Sequence, residues 1–233
     1  MELLQKLEKF IHWSVDTPGR KYETLLESVE KYLDTLPITS QNVFEMLVGT
    51  MNDDEESEYI SMIGFFLENG IGTDKQLEKA FKYYQRGAER KDVFAQMKLG
   101  DCYVRGTGIA MNLDLAAFWY EQSIKNGDLG IKRKQNLAYY YQNTRPNPIK
   151  AFYWNHSAAK VGHEHSLIST PHCFHHANSI VITARCYLRG IGTKKDVHEA
   201  FMWYRKGGLI EWMLADFGLE TTRIWSCSGR AGV

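Results

Sequence analysis

Tyr103-Val104-Arg105-Gly106-Thr107-Gly108-Ile109, followed by Ala116-Ala117-Phe118-Trp119-Tyr120, is the stretch on which the fold turns. It recurs. Tyr187-Leu188-Arg189-Gly190-Ile191-Gly192-Thr193 with Ala200-Phe201-Met202-Trp203-Tyr204 repeats the pattern 84 residues later. Gly64-Phe65-Phe66-Leu67-Glu68-Asn69-Gly70-Ile71-Gly72-Thr73 with Ala80-Phe81-Lys82-Tyr83-Tyr84 repeats it 36 residues earlier. A degraded copy, Leu137-Ala138-Tyr139-Tyr140-Tyr141 with Ala151-Phe152-Tyr153-Trp154, lies between. The anchoring alanines Ala80, Ala116, Ala151 and Ala200 are spaced 36, 35 and 49. A period of this size marks a solenoid of stacked supersecondary units.

Each unit reads as two helices and a turn. In the second copy Ala95, Leu99, Cys102 and Tyr103 form one apolar stripe at helical spacing. Gly100 sits inside that helix at a cost of roughly 1 kcal/mol relative to alanine. Close approach of the partner helix explains it, since Gly64 takes the same place and Ala138 and Ala184 are nearly as small. Gly106 ends the helix in a left-handed conformation, and Gly108 completes the turn. Asn112, Asn147 and Asp196 fall at one repeat position and are suited to cap the second helix. Pro148 suits the first helical position, and Glu199 completes a capping-box pattern with Asp196. In the first copy that place is Gln76, so Asp74 is expected to cap instead. The aromatic three residues after each alanine (Tyr83, Trp119, Trp154, Trp203) is expected to fill the space between units.

The pattern resembles the Sel1-like repeat, a relative of the tetratricopeptide repeat. An L-G pair, Y-x-x-G-x-G, an acidic or amide cap and A-x-x-W-Y are matched by Leu99-Gly100, Tyr103 to Gly108, Asn112 and Ala116 to Tyr120. The match covers about Ser57 to Gly207, and the third copy has Asn143-Thr144-Arg145-Pro146 in place of the turn glycines. The resemblance implies an all-α, right-handed superhelical solenoid of tetratricopeptide-like helix-turn-helix repeats. It also implies an adaptor, since such proteins act in quality control at the endoplasmic reticulum, cell-wall synthase activation and signalling.

The division expected is a helical cap over 1–52, repeats over 53–208, and a partial repeat or capping helix with a disordered tail over 209–233. Leu3, Leu4, Leu7, Phe10 and Ile11 mark one cap helix, ended near Thr17-Pro18-Gly19. Tyr22 to Leu36 marks a second, and Ser40 is placed to cap a third carrying Val43, Phe44, Leu47 and Val48. A solenoid must cover its first repeat; a docking element for a partner helix is the alternative. The acidic run Asp53 to Glu56 suits the positive end of the following helix. After Gly207 another first helix begins, with Trp212, Met213, Ala215 and Phe217. It either caps the last repeat or leaves an apolar end open to a partner or to end-to-end association with a second copy.

An insertion follows Gly162. Lys91 to Leu99 is 8 residues, while the equivalent Gly162 to Thr183 is 21, so about 13 are added near 164–178. His163, His165, His172, His175 and His176, with Cys173, put five of the chain's eight histidines there. Zinc takes four N/S ligands, but no pair here has zinc-finger spacing. The readings are a variable loop, a metal site or a gene-model artefact.

Lys+Arg and Asp+Glu are each 28, which gives no electrostatic case for nucleic acid or an anionic membrane. No stretch approaches the roughly 20 apolar residues of a membrane span, and the N-terminus does not read as a signal peptide. Cys102 and Cys186 occupy one repeat place in different copies, which reads as buried, reduced thiols in a cytoplasmic protein. Gly70-Ile71-Gly72 and its copies lack the rest of a nucleotide-binding motif. Ser28-x-x-Lys31 and Ser157-x-x-Lys160 lack the companions of a penicillin-binding nucleophile. No enzyme and no cofactor are expected.

The first helix of each unit faces the concave side of a solenoid. The residues pointing away from the core stripe are Phe94, Met97, Asp101 and Arg105 in the second copy, Gln135, Tyr139 and Asn143 in the third, and Val181, Arg185 and Arg189 in the fourth. The expected groove therefore comprises Phe94, Met97, Asp101, Arg105, Gln135, Tyr139, Arg185 and Arg189. It would hold a protein or peptide partner, in signalling or complex assembly. A metal-dependent activity in the His-rich insert is the rival.

Overall fold

The computed structural model describes residues 2–16, 22–51, 57–128, 130–166 and 174–218. Among them the regular elements are α1 (Glu2–Asp16), α2 (Tyr22–Asp34), α3 (Ser40–Val48), α4 (Ile60–Asn69), α5 (Leu77–Glu89), α6 (Val93–Arg105), α7 (Leu113–Lys125), α8 (Ile131–Asn143), α9 (Pro148–Ser166), α10 (Phe174–Arg189), α11 (Val197–Lys206) and α12 (Ile210–Asp216). No strand occurs among the described residues, so the all-helical reading holds. The chain divides into two compact units, Met1–Arg133 and Lys134–Val233.

In the first unit the repeats are the hairpins α4–α5 and α6–α7, and α5 also packs on α6. The Gly-for-Ala exchange inside the first helices has the expected cause. A Cβ on Gly100 would lie 2.6 Å from the Tyr120 ring, and one on Gly64 would lie 2.9 Å from the Tyr84 ring. The residue that wedges between the helices is therefore the tyrosine four after the alanine, not the aromatic three after it. Tyr84 and Tyr120 are fully buried, while Tyr83 and Trp119 are half-buried. Among the four aromatics expected to fill the gaps only Trp203 is buried.

The turns stack backbone on backbone. Gly70 and Gly106 close α4 and α6 at φ 74° and 70°, in the left-handed region. The second turn glycine is excluded from carrying a side chain by the preceding hairpin. A Cβ on Gly108 would meet the Leu77 carbonyl oxygen at 2.3 Å, and one on Gly72 would meet that of Ser40 at 2.2 Å. Leu77 opens α5 and Ser40 opens α3. Helix α3 thus stands where a preceding hairpin's second helix would stand. Its cap is Thr39 rather than Ser40: Thr39 Oγ1 accepts from the Asn42 N–H and the Asn42 side chain bonds back. Leu4, Leu7 and Ile11 of α1, Leu25 and Val29 of α2 and Val43 of α3 share one buried cluster with the first repeat.

In the second unit α10 packs against α9 and α11, and α12 packs on α11. The same device recurs: a Cβ on Gly192 would meet the Pro148 carbonyl oxygen, which opens α9, at 2.1 Å. The insert is shorter as a break than its length suggested. Helix α9 runs on through His163 and His165 to Ser166, and α10 already begins at Phe174. Those two histidines therefore lie on a helix, not in a loop. The lengthened helices take up most of the added residues.

Within the repeats, capping follows the expected residues with one change. Asn112 accepts from the Leu115 N–H, Asn147 from that of Lys150 and Asp196 from that of Glu199, at 3.0, 3.0 and 2.9 Å. Helix α5 instead has Gln76 at its N-cap with no side-chain cap bond, and Asp74 does not serve it. The third hairpin keeps the backbone pattern of its siblings in a shorter turn. Asn147 N–H donates to the Tyr141 carbonyl as Asn112 N–H donates to that of Tyr103. The acidic run 53–56, the break near 17–19 and the tail beyond 218 lie outside the described residues.

Candidate functional site

Each wedging tyrosine carries a hydroxyl that needs a partner once buried. Tyr84 donates to Glu68 Oε2 at 2.7 Å. The same oxygen is paired with Nζ of Lys98, which is fully buried. Lys98 Nζ also lies 5.4 Å from the ring centroids of both Phe65 and Tyr84. A buried ammonium is tolerated only with a counter-charge and further polar contacts, and two aromatic faces add cation–π attraction. In the second hairpin Tyr120 donates to Asp101 Oδ1 at 2.6 Å, and Arg105 Nη2 lies 3.9 Å from Asp101 Oδ2. In the fourth, Tyr204 donates to Asp216 Oδ2, Arg185 Nε donates to the same atom at 2.7 Å, and Arg189 Nη2 is 3.9 Å from Oδ1. In the third hairpin the tyrosine's place is Asn155, buried, with its amide donating to the Ala151 carbonyl at 3.1 Å.

These clusters perturb their members as charge-assisted bonds should. Burial pushes the Asp216 carboxyl upward, but the bonds from Arg185 and Tyr204 outweigh it and hold it below its ordinary value. The Tyr204 phenol is raised by burial and then by its bond to Asp216. Arg185 is raised by its bond to Asp216.

The expected groove residues separate. Phe94 and Met97 are a correction. They are 3% and 4% exposed, and Phe94 meets Phe65 edge-on with centroids 6.0 Å apart, so neither lines an open surface. The cause is that α6 is flanked by α5 and α7 and by Phe65 of α4. It buries Phe94 through Gly100 continuously rather than along one stripe. Asp101 and Arg105 do come together, and Arg105 remains 42% exposed at its side chain. In the second unit Arg185 and Arg189 share Asp216, while Gln135 turns to Ser179, donating at 2.7 Å. Tyr139 is 64% exposed. The reading from spacing missed Asp216, and it placed Trp212 on the helix after Gly207 without linking it to Arg185. Trp212 is 51% exposed and lies 5.6 Å under the Arg185 guanidinium.

Cys102 and Cys186 are free, buried thiols, and burial pushes Cys102 up to about 12, far from a nucleophilic thiolate at neutral pH. Among the described residues no group of three or more His, Cys, Asp and Glu is placed to hold a metal. The side chains of His163, His165, His172, His175, His176 and Cys173 lie outside the described residues. No helix among those described is long and apolar enough to cross a membrane.

Helical hairpins with left-handed glycine turns and small-residue contacts define a protein of the stacked helical-repeat class. Residues 57–92, 93–128, 134–163 and 180–208 match the Sel1 repeat, more than half of the chain. The chain belongs to the Sel1 repeat family, whose repeats are protein-interaction modules. A sel1-like repeat-containing protein of Acanthamoeba polyphaga mimivirus is 31% identical over 88 residues. That match spans 38% of this chain and only 16% of the relative's length. The crystal structure of a Sel1 repeat protein from Oxalobacter formigenes is similar with a TM-score of 0.57 and 25% identity. The likeness covers 82% of this chain and 70% of that one. A protective antigen of uropathogenic Escherichia coli displaying an SLR fold superposes with a TM-score of 0.53 at 19% identity, covering 64% of this chain and 29% of that one. The fold is thus the repeat solenoid read from the sequence.

Proposed function

We propose that the chain is a non-catalytic cytoplasmic adaptor that holds a protein or peptide partner through exposed residues of its first helices, in signalling or complex assembly. Residues 1–52 act as its N-terminal cap. One observation carries the reading. Arg105 and Arg189, the last residues of α6 and α10, occupy one repeat position and keep 42% and 59% of their side chains exposed, each 3.9 Å from a carboxylate. Arginine with exposed fork donors is suited to bidentate capture of carboxylates. Asp101 stands beside Arg105 in the first unit, and Gln135, Tyr139 and Arg185 lie on the first helices of the second.

The test is affinity capture with the full chain, followed by measurement of the dissociation constant of the captured partner. Each charge-assisted bond contributes roughly 1.5–3 kcal/mol. Arg105→Glu with Arg189→Glu is therefore expected to weaken binding by on the order of 3 kcal/mol, about a hundredfold. The melting curve should move little, since both side chains lie outside the core. Undiminished binding by a folded double variant removes this surface from the mechanism.

A further inference from the structure

The fourth hairpin differs from the first two in where its carboxylate comes from. Glu68 and Asp101 belong to the first helices themselves. In the fourth hairpin the first helix α10 supplies two arginines, Arg185 and Arg189, and the carboxylate arrives from a separate element, Asp216 on α12.

Helix α12 has only seven residues, too few to be stable alone. Met213 and Phe217 seat it on the cluster around Trp203 and Tyr204, and Leu214 is itself buried at 5% exposure. Asp216 is the last residue of α12, the negative end of the helix dipole, where an acidic side chain is disfavoured. Its placement is explained by what it meets. Oδ2 takes both the Arg185 Nε–H and the Tyr204 hydroxyl. Oδ1 faces Arg189 Nη2 at 3.9 Å, beyond hydrogen-bond length. Two guanidiniums stand over one carboxylate, an excess of one positive charge at a site where Arg189 is 59% exposed. The rim is Trp212, presented to solvent beneath Arg185.

We propose that Arg185, Arg189 and Tyr204 form a carboxylate-binding site for an acidic segment of a protein partner, and that Asp216 of α12 is the internal occupant which that segment displaces. The partner's segment carries an apolar residue two positions before its acid, because Leu214-Ala215-Asp216 is the sequence now seated there. The proposal rests on the reading of the first helices as the docking side. It adds what the partner must look like and what it competes with.

The probe is a fluorescein-labelled peptide of repeated Leu-Ala-Asp, with Leu-Ala-Lys as control, titrated with the full chain by fluorescence anisotropy. Removing the internal competitor raises the fraction of competent sites, so Asp216→Asn should bind the acidic peptide about tenfold more tightly than the unaltered chain. Leu214→Ala, which loosens α12 without touching the charges, should tighten binding in the same direction. Arg189→Gln should weaken it, and the lysine peptide should not bind. An Asp216→Asn chain no tighter than the unaltered one, together with an unchanged Leu214→Ala, overturns the proposal, as does full affinity in Arg189→Gln. Partner capture that still depends on Arg105 and Arg189 while the peptide fails to bind would remove this inference and leave the broader adaptor reading standing. Loss of both would remove both.

Discussion

Gly100→Ala should destabilise the protein, although alanine is the better helix former. Propensity alone favours alanine over glycine by roughly 1 kcal/mol in a helix interior. Here the new Cβ would lie 2.6 and 2.7 Å from two carbons of the Tyr120 ring. That ring has little room to retreat: it is 2% exposed, and its hydroxyl is bonded to Asp101 at 2.6 Å. Overpacking a well-filled core costs about 1–3 kcal/mol, and a ring fixed at both ends places this site toward the upper value. The net loss is then on the order of 1–2 kcal/mol, which for a chain of this size lowers the melting temperature by roughly 2–8 °C. Thermal and urea unfolding followed by far-ultraviolet circular dichroism read this directly. Ala184→Gly is the converse case and should also destabilise, since it loses helix propensity and the packing of a buried methyl. A Gly100→Ala chain as stable as the unaltered one, or more so, would show that Tyr120 is free to move and that the small residue is not required.

Tyr120→Ala should cost roughly 3–5 kcal/mol as a fully buried aromatic, whereas half-buried Trp119→Ala should cost about 1–2 kcal/mol; equal urea midpoints would contradict the assignment of the wedge. Asp128 is buried and accepts from Arg133, from the Gly130 N–H at 2.7 Å and from Ser123. Asp128→Ala should therefore cost about 3–5 kcal/mol by stranding a guanidinium, measured by urea denaturation. His156 is held below its ordinary value by burial and by Lys160 and Lys206, against Glu199, among the rings of Phe152, Tyr187 and Trp203. The unfolded state then binds the proton more readily. The stabilisation is full above about pH 6.5 and falls as pH drops through the depressed folded value. The melting temperature should decline on acidification, and His156→Gln should flatten that decline.

The hairpins were legible because their signals are local. The caps at Asn112, Asn147 and Asp196 and the glycines at 106 and 108 act on neighbours a few residues away. The polar clusters were not, because their members hold no constant offset. Glu68 follows Gly64 by four residues, Asp101 follows Gly100 by one, and Asp216 follows Tyr204 by twelve with the charge order reversed. The burial of Phe94 and Met97 escaped for a related reason. A one-stripe reading suits a helix packed on one side, and α6 is packed on several.

The third hairpin loses its stacking parts together. Its turn lacks the two left-handed glycines, and Asn155 stands where the tyrosine wedge would stand. The turn glycine lets one hairpin lie backbone to backbone on the one before, and the tyrosine locks the two helices of one hairpin through the small residue it faces. A hairpin without that tyrosine has a weaker term for the join of its own two helices, and in a repeat protein stability is a sum over such terms. Restoring the wedge is the way to test the link. Asn155→Tyr with Ala138→Gly should raise the cooperativity of unfolding, seen as a steeper urea transition. A transition that keeps its slope while the chain stays folded would show that the missing tyrosine does not limit the cooperativity of unfolding.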